Sequence, residues 1–278
     1  MRIVVCLKLI ADPDIAEFDI ASGKLRNLYD TLDPIGRYVL EEALLLRESW
    51  GGEVIAVSLA PEAGDVILKD ALLSGADRGV RLWRDDLRGA DTWLVAQAIG
   101  GFLRQAGFDL VLCGTRSRDT ATGLMAPALG HYLNAAAVTG TIALEVSGDG
   151  RVLAHKKLPG GRRETYAMAL PAVIGLEQGI NEPRYVAPFS RTYRAGLDKT
   201  VEVCEPAFPA PGAGPLVRML RLTQARPRIK AGLDLGALSP QDRLRMMRGE
   251  LGRKKEVFAG PPEEAARRIF ARLKGALE

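Results

Sequence analysis

Short apolar runs alternate along the first two-thirds of the chain with longer segments whose apolar residues recur every three or four positions. Ile3 to Leu9 is a β-branched-rich run with little polar interruption, as expected of a parallel strand covered on both faces. Asp33-Pro34 predicts a helix start, an Asp N-cap with Pro at the first position, followed by apolar Tyr38, Leu40, Ala43, Leu44 and Leu45. Gly51-Gly52 ends that helix, and Glu53 to Ser58 reads as the next strand. A helix over Asp65 to Ser74, a turn at Gly75-Ala76-Asp77-Arg78 and a strand over Gly79 to Leu82 follow. The pattern continues with a helix from about Asp91 to Gln105, a strand from Asp109 to Cys113, a helix from Thr122 to Leu133, and extended chain from Thr139 to Val146.

Strands separated by helices of this length predict right-handed βαβ units: an α/β fold with a parallel sheet sandwiched by helices. Ligands of such sheets sit at the carboxyl ends of the strands, near a switch in strand order. The loops after Leu9, Ser58 and Cys113 therefore surround any cleft. From Arg151 the pattern changes to alternation, and Pro159-Gly160-Gly161 turns it into a β-hairpin appended to the sheet. Pro171 to Leu176 reads as another buried strand, and Asn181-Glu182-Pro183-Arg184-Tyr185 closes the body.

Charge divides the chain further. Residues 205–278 hold fifteen Lys/Arg against eight Asp/Glu, a net +7, whereas residues 1–204 are net −3. Half of the sixteen prolines lie between Pro206 and Pro262. The expectation is a body over 1–204 and a proline-rich arm over 205–278. In the arm, Asp242 to Leu251 and Glu263 to Leu277 have helical spacing, the second with Ala265, Ile269, Phe270 and Leu273 opposite Arg267, Arg268 and Arg272. Its basic residues lack interleaved aromatics and are interrupted by acids, which disfavours nucleic acid and a membrane surface. No apolar run approaches a membrane span, and the amino terminus reads as a buried strand rather than a signal peptide. Cys6, Cys113 and Cys204 form no CxxC or Cys/His cluster, so neither a disulfide framework nor a metal site is expected, and a reducing cytoplasm is the default.

Catalytic signals are weak. The two histidines, His131 in an alanine-rich helix and His155 in a hairpin strand beside lysines, read as packing or surface residues. No GxSxG elbow, HExxH helix, P-loop or GxGxxG occurs. Cys113 reads as a small buried residue. The informative stretch is Asp109 to Gly123: Gly114 permits a sharp turn or close approach after a strand, and Asp119, Thr120 and Thr122 precede a helix whose amides could receive a phosphate. The alternative is plain N-capping by Asp119 or Thr122.

These residues resemble the beta subunit of electron transfer flavoproteins. The most specific element is Ile180-Asn181-Glu182-Pro183-Arg184-Tyr185, close to the family's Leu-Asn-Glu-Pro-Arg-Tyr. Supporting elements, in order, are Val4 to Lys8, Asp33-Pro34 leading to Glu41-Glu42-Ala43, Val54 to Ser58, Ala71 to Arg78, and Leu170 to Val173. The resemblance covers about residues 1–190 well and the arm more loosely. It implies a Rossmann-like, adenine nucleotide-binding type of fold and an electron carrier without catalytic residues of its own.

The resemblance further implies FAD shared with, and held mostly by, an alpha subunit that the arm embraces. It implies a nucleotide pocket formed from Cys6, Leu7, Lys8, Asp12, Ser58, Gly114, Asp119, Ala121, Thr122, Gly123, Leu124 and Met125, holding AMP in preference to a second FAD. In the family's loop pattern Gly114, Asp119 and Thr122 match. Ala121 replaces an acid, Leu124 a glutamine and Ala126 a glycine, which weakens the site and leaves an empty one as a third outcome. Ile35 stands where relatives usually carry Phe on the flavin side. Ile180, Asn181, Glu182 and Pro183 lie where relatives dock dehydrogenases, so the resemblance implies a dehydrogenase as partner; the unusual sequence after them points instead to an iron–sulfur oxidoreductase. The competing readings are a free-standing adenine-nucleotide sensor of the same fold and an ATP pyrophosphatase-like enzyme, the latter disfavoured by a missing phosphate loop.

Overall fold

The computed structural model describes residues 1–19, 22, 24–26, 28–148, 150–207, 215–217, 239–247, 261–262, 264–268 and 270. In chain order the first strands are β1 (Arg2–Cys6), β2 (Leu9–Ala11), β3 (Glu17–Asp19), β4 (Lys24–Arg26) and β5 (Asp30–Leu32). Helix α1 (Pro34–Trp50) begins as its sequence predicts: the Asp33 side chain accepts from the Ile35 amide, Pro34 occupies the first turn, and Gly51 ends it. There follow β6 (Glu53–Leu59), α2 (Asp65–Ser74), β7 (Arg78–Leu82), α3 (Thr92–Ala106) and β8 (Leu110–Gly114). Asp91 caps α3 through the Leu94 amide. Then come α4 (Met125–Leu133), β9 (Ala136–Val146), β10 (Arg151–Lys157), β11 (Arg163–Ala169), β12 (Ala172–Leu176), α5 (Arg191–Leu197) and β13 (Val201–Cys204).

Nine of these strands form one sheet in the order β11-β10-β9-β12-β8-β1-β6-β7-β13. All neighbours from β9 to β13 across that order pair in parallel, whereas β9, β10 and β11 pair antiparallel. The fold is therefore the α/β, Rossmann-like one, with the expected hairpin continuing its edge. The chain runs outward from β1 through β6 to β7, then returns to the other side of β1 at β8. The switch in strand order lies between β1 and β8.

Alternate residues of β1, β6, β8 and β12 feed two cores, which is why these strands read as unbroken apolar runs. Ile3 and Val5 join one cluster with α1 and α2 residues such as Leu44, Leu68 and Leu72. Val4 joins the other with Leu103 of α3 and Leu129 of α4. Each such fully buried aliphatic side chain is worth about 1.5–3 kcal/mol relative to exposure.

Four readings change. The run read as one strand over Ile3 to Leu9 ends at Cys6, with Leu9 in β2 of a separate sheet, and α5 and β13 follow the segment 181–185 that reads as the close of the body. The helix expected from Thr122 starts only at Met125, because Ala121 (φ 49°) and Gly123 (φ 69°) take the left-handed conformation, which a right-handed helix cannot pass through. Strands β2 to β5, three residues each, are too short to show a period in the sequence and form two small antiparallel pairs after β1.

Contacts divide the chain into Met1–Gln224 and Ala225–Glu278. In the second unit α6 (Pro240–Met247) is capped by Ser239, whose hydroxyl accepts from the Asp242 amide at 3.2 Å. Residues 262, 264–268 and 270 are helical, with Glu264 and Arg268 paired one turn apart. The expected helical residues 248–251, Glu263, Ile269 and 271–277 lie outside the described ones. Among the described residues no helix is long and apolar enough to cross a membrane.

Candidate functional site

Strand β1 delivers Lys8 to the carboxyl edge of the sheet, and β8 delivers the loop 115–124 beside it. The two meet at the switch point. The Lys8 ammonium donates to Asp119 Oδ1 at 2.6 Å and to the hydroxyls of Ser117 and Thr120 at 3.2 Å each. Burial alone would raise the Asp119 carboxyl, but hydrogen bonds from Lys8 and Ser117 outweigh it and hold the pKa below the usual carboxylate value. Asp119 thus pairs with Lys8 and its neighbouring Thr120 amide rather than capping α4. Thr122 turns the other way, its hydroxyl 3.3 Å from that of Thr92 in the first turn of α3. No side chain caps α4, and Pro127 in its first turn has no N–H, so at most the Met125 and Ala126 amides are available there.

Asp33 ties this arrangement together. It is 2% exposed. Its amide donates to the Lys8 carbonyl at 3.0 Å, Oδ1 accepts from the Ile35 amide at 3.4 Å, and Oδ2 accepts from the Arg118 amide at 3.1 Å. Desolvation raises its pKa, opposed by the two backbone amides. The sequence marked Asp33 only as a helix cap. Its second oxygen reaches a residue 85 positions away, which local reading cannot find.

The other expected pocket residues fall around this centre unevenly. Cys6 ends β1 with its thiol pushed up to about 12 by burial, so it is neutral rather than a nucleophile. Leu7 is buried and extends the ladder to Val57. Ser58 is fully buried at the end of β6, its hydroxyl without a hydrogen-bond partner. Gly114 is small because Ile35 sits on it: a Cβ there would lie 2.5 Å from Ile35 Cγ2. The close approach is thus made by the α1 entry, and Ile35 packs against the core. Leu124 is exposed, and Met125 opens α4. Asp12 organises a tight turn, its carboxylate accepting from the Asp14 amide, while Arg118 and Asp14 pair at 3.1 Å. Two open depressions lie elsewhere: about 570 Å³ beside Arg2, Glu53 and Asp109 at the amino edge of the sheet, and about 280 Å³ beside Phe102 and Cys204.

The segment after β12 is fastened along α1. Asn181 Nδ2 donates to the Tyr38 carbonyl at 3.0 Å and to Glu42 Oε2 at 2.8 Å. Arg184 Nε and Nη2 fork onto Glu41 at 2.8 and 2.9 Å, Nη1 reaches Glu48 at 2.6 Å, and the Arg184 amide also donates to Glu41. Glu41 is 5% and Glu42 8% exposed. The Glu41 and Glu48 carboxylates raise the Arg184 pKa. Ile180 packs against the core beside them, whereas Glu182 and Tyr185 face outward. Phe189 is exposed too, at a left-handed φ of 67°. Asn181 to Arg184, in the most specific element of the resemblance, and Glu41-Glu42, in a supporting one, are therefore halves of one part-buried contact.

Sheet order, switch point and a lysine-centred polar loop define an α/β protein of the Rossmann-like class with groups for a small anion. Lys8 joins the Ser117 and Thr120 hydroxyls in one polar cluster before α4, and Asp119 offsets part of the lysine charge. The chain belongs to the electron transfer flavoprotein family, whose domain matches residues 27–209. It is 32% identical over 195 residues to the electron transfer flavoprotein subunit beta of Methylophilus methylotrophus, covering 67% of this chain and 73% of that one. The subunit beta of Thermoanaerobacterium thermosaccharolyticum is 29% identical over 187 residues, 66% of this chain and 71% of its own. The caffeyl-CoA reductase-Etf complex subunit CarD of Acetobacterium woodii is 28% identical over 191 residues, 67% and 72% respectively.

Proposed function

We propose that this chain is the beta subunit of a heterodimeric electron transfer flavoprotein. It carries electrons between a dehydrogenase or iron–sulfur oxidoreductase and an acceptor, through FAD held mainly by an alpha subunit. FAD supplies the one- and two-electron chemistry; this chain covers the cofactor, grips the alpha subunit through its arm from about residue 205, and works in the cytoplasm as a carrier rather than an enzyme. The observation that carries the reading is the family membership, with relatives that are beta subunits over the same two-thirds of the chain.

Within this reading the switch-point loop holds AMP. Lys8 and the Ser117 and Thr120 hydroxyls would receive the phosphate with the Met125 and Ala126 amides, in place of the glutamine that Leu124 replaces. One lysine partly neutralised by Asp119 favours a monophosphate over a more highly charged ligand. Ile180, Asn181, Glu182 and Pro183 belong to the docking segment, with Asn181 holding it to α1. The purified complex, denatured and resolved by chromatography, should release one FAD and one AMP. Two FAD would replace AMP by a second flavin, and FAD alone would mean that the altered loop holds nothing.

A further inference from the structure

We propose that Arg116 is the phosphate-recognising residue of the switch-point loop, supplying the uncompensated positive charge that a nucleoside monophosphate would meet there. This rests on the nucleotide reading above and names the residue that would set its affinity.

The other charges around the loop cancel. Lys8 pairs with Asp119 at 2.6 Å, and Arg118 with Asp14 at 3.1 Å. The buried Asp33 carboxyl, which interacts with both Lys8 and Asp119, adds no positive charge. A phosphate monoester carries a charge of about −1.5 to −2 at pH 7. Its attraction to a cation that already has a carboxylate partner is offset by repulsion from that carboxylate. Arg116 makes no hydrogen bond or ion pair among the described residues, so its charge is available.

The Arg116 side chain is exposed, yet its stem is packed. Gly123 takes a left-handed φ of 69°, and a Cβ built on it would lie 3.6 Å from both Cγ and Nε of Arg116. The stem thus lies along the glycine and joins the first part of the loop to its last. Packing of that kind lowers the side-chain entropy lost when a ligand is gripped. The middle of the loop is gathered by Lys8, which donates to Ser117, Asp119 and Thr120. A phosphate accepting from the Ser117 and Thr120 hydroxyls would take its opposite charge from Arg116, whose planar fork matches two phosphate oxygens.

The loop keeps its shape without this side chain. The Thr115 amide donates to the Leu176 carbonyl at 2.9 Å, the Thr115 hydroxyl accepts from the Gly140 amide at 3.0 Å, and Thr115 is 8% exposed. The Arg118 amide is held by Asp33 as well. Loss of the Arg116 charge therefore acts on the ligand rather than on the fold.

The test uses the flavin-loaded heterodimer, freed of nucleotide and titrated separately with AMP and with adenosine by calorimetry. Arg116→Gln, which removes the charge, should weaken AMP binding by about tenfold or more, as for a lost charge-assisted hydrogen bond. Adenosine has no phosphate, and its affinity should change by less than about twofold. Rising salt should weaken AMP binding more steeply in wild type than in Arg116→Gln, because an exposed charge pair is screened. Arg116→Lys keeps the charge without the fork and should fall between the two. Wild-type AMP affinity in Arg116→Gln, or equal weakening of AMP and adenosine, would overturn the inference while leaving the nucleotide site standing. A wild-type complex that takes up no AMP would overturn the nucleotide reading and this inference with it.

Discussion

Replacing Arg184 by Met should be among the most destabilising single changes in the body. The guanidinium forks onto Glu41 at 2.8 and 2.9 Å, and the Glu41 side chain is 6% exposed against 29% for Arg184. At an effective dielectric of about 20, opposite charges about 4 Å apart attract by about 4 kcal/mol. Removing one partner of a buried pair costs about 3–5 kcal/mol, because the other charge stays behind uncompensated. Partial exposure of Arg184 puts the expectation near the lower figure, about 3 kcal/mol. The pair with Glu48, which is 49% exposed, adds less than about 1 kcal/mol. Against a typical total of about 5–15 kcal/mol the loss is large. Denaturant unfolding followed by circular dichroism should show a lower midpoint at unchanged slope. Glu41→Leu combined with Arg184→Met removes both charges and should recover part of the loss, since an apolar pair avoids the desolvation penalty while the residue-184 amide loses its Glu41 acceptor. A loss below about 1 kcal/mol in the single variant, or a double variant no better than the single, would refute the assignment of a buried pair.

Other outcomes follow from particular contacts. Gly114→Ala sets a methyl 2.5 Å from Ile35 Cγ2 and should cost about 1–3 kcal/mol, with Ile35→Ala in the same chain restoring stability; equal melting temperatures for wild type and Gly114→Ala would contradict the contact. Burial raises the Glu42 carboxyl above its ordinary 4.5, helped by Glu41 and opposed by Asn181. The folded state then holds a proton that the unfolded state has released, so the Glu42 contribution is complete below its unfolded pKa and declines as pH rises through the folded one. Glu42→Gln should therefore gain on wild type between about pH 4 and about pH 7 in denaturant unfolding, and a constant or shrinking difference would count against it. Asp91 accepts from Leu94 with one oxygen and from the Leu216 and Val217 amides, at 2.5 and 2.9 Å, with the other. Asp91→Ala should cost about 1 kcal/mol as a lost cap and speed hydrogen exchange at Leu216 and Val217; unchanged exchange there would show that the carboxylate does not hold them.

Much of the fold was legible because its determinants are local. Asp33-Pro34, Gly51-Gly52 and Gly75 punctuate the helices where the sequence places them, and the unbroken apolar runs report strands covered on two faces. Strands of three residues, such as β2 and β5, show too little of a period to be read. The loop before α4 misled for a physical reason: Asp119 and Thr122 have the chemistry of helix caps, but left-handed Ala121 and Gly123 delay the helix, and Lys8 and Thr92 claim both side chains. The buried joint was half visible. Glu41-Glu42 and Asn181 to Arg184 stood out separately as motifs, yet their pairing spans 139 to 143 positions and exists only in the folded chain. Asp33 is the same case, its local role as a cap hiding its distant one.

The central claim is that the chain works only as half of a flavoprotein. Expressed with its genomic neighbours and purified through a tag on this chain, it should elute as a one-to-one complex with a second, flavin-bearing subunit. That complex should show a flavin absorption spectrum that bleaches on reduction and returns on reoxidation. A stable, colourless monomer that binds ATP and recruits no flavin-bearing partner would contradict the account.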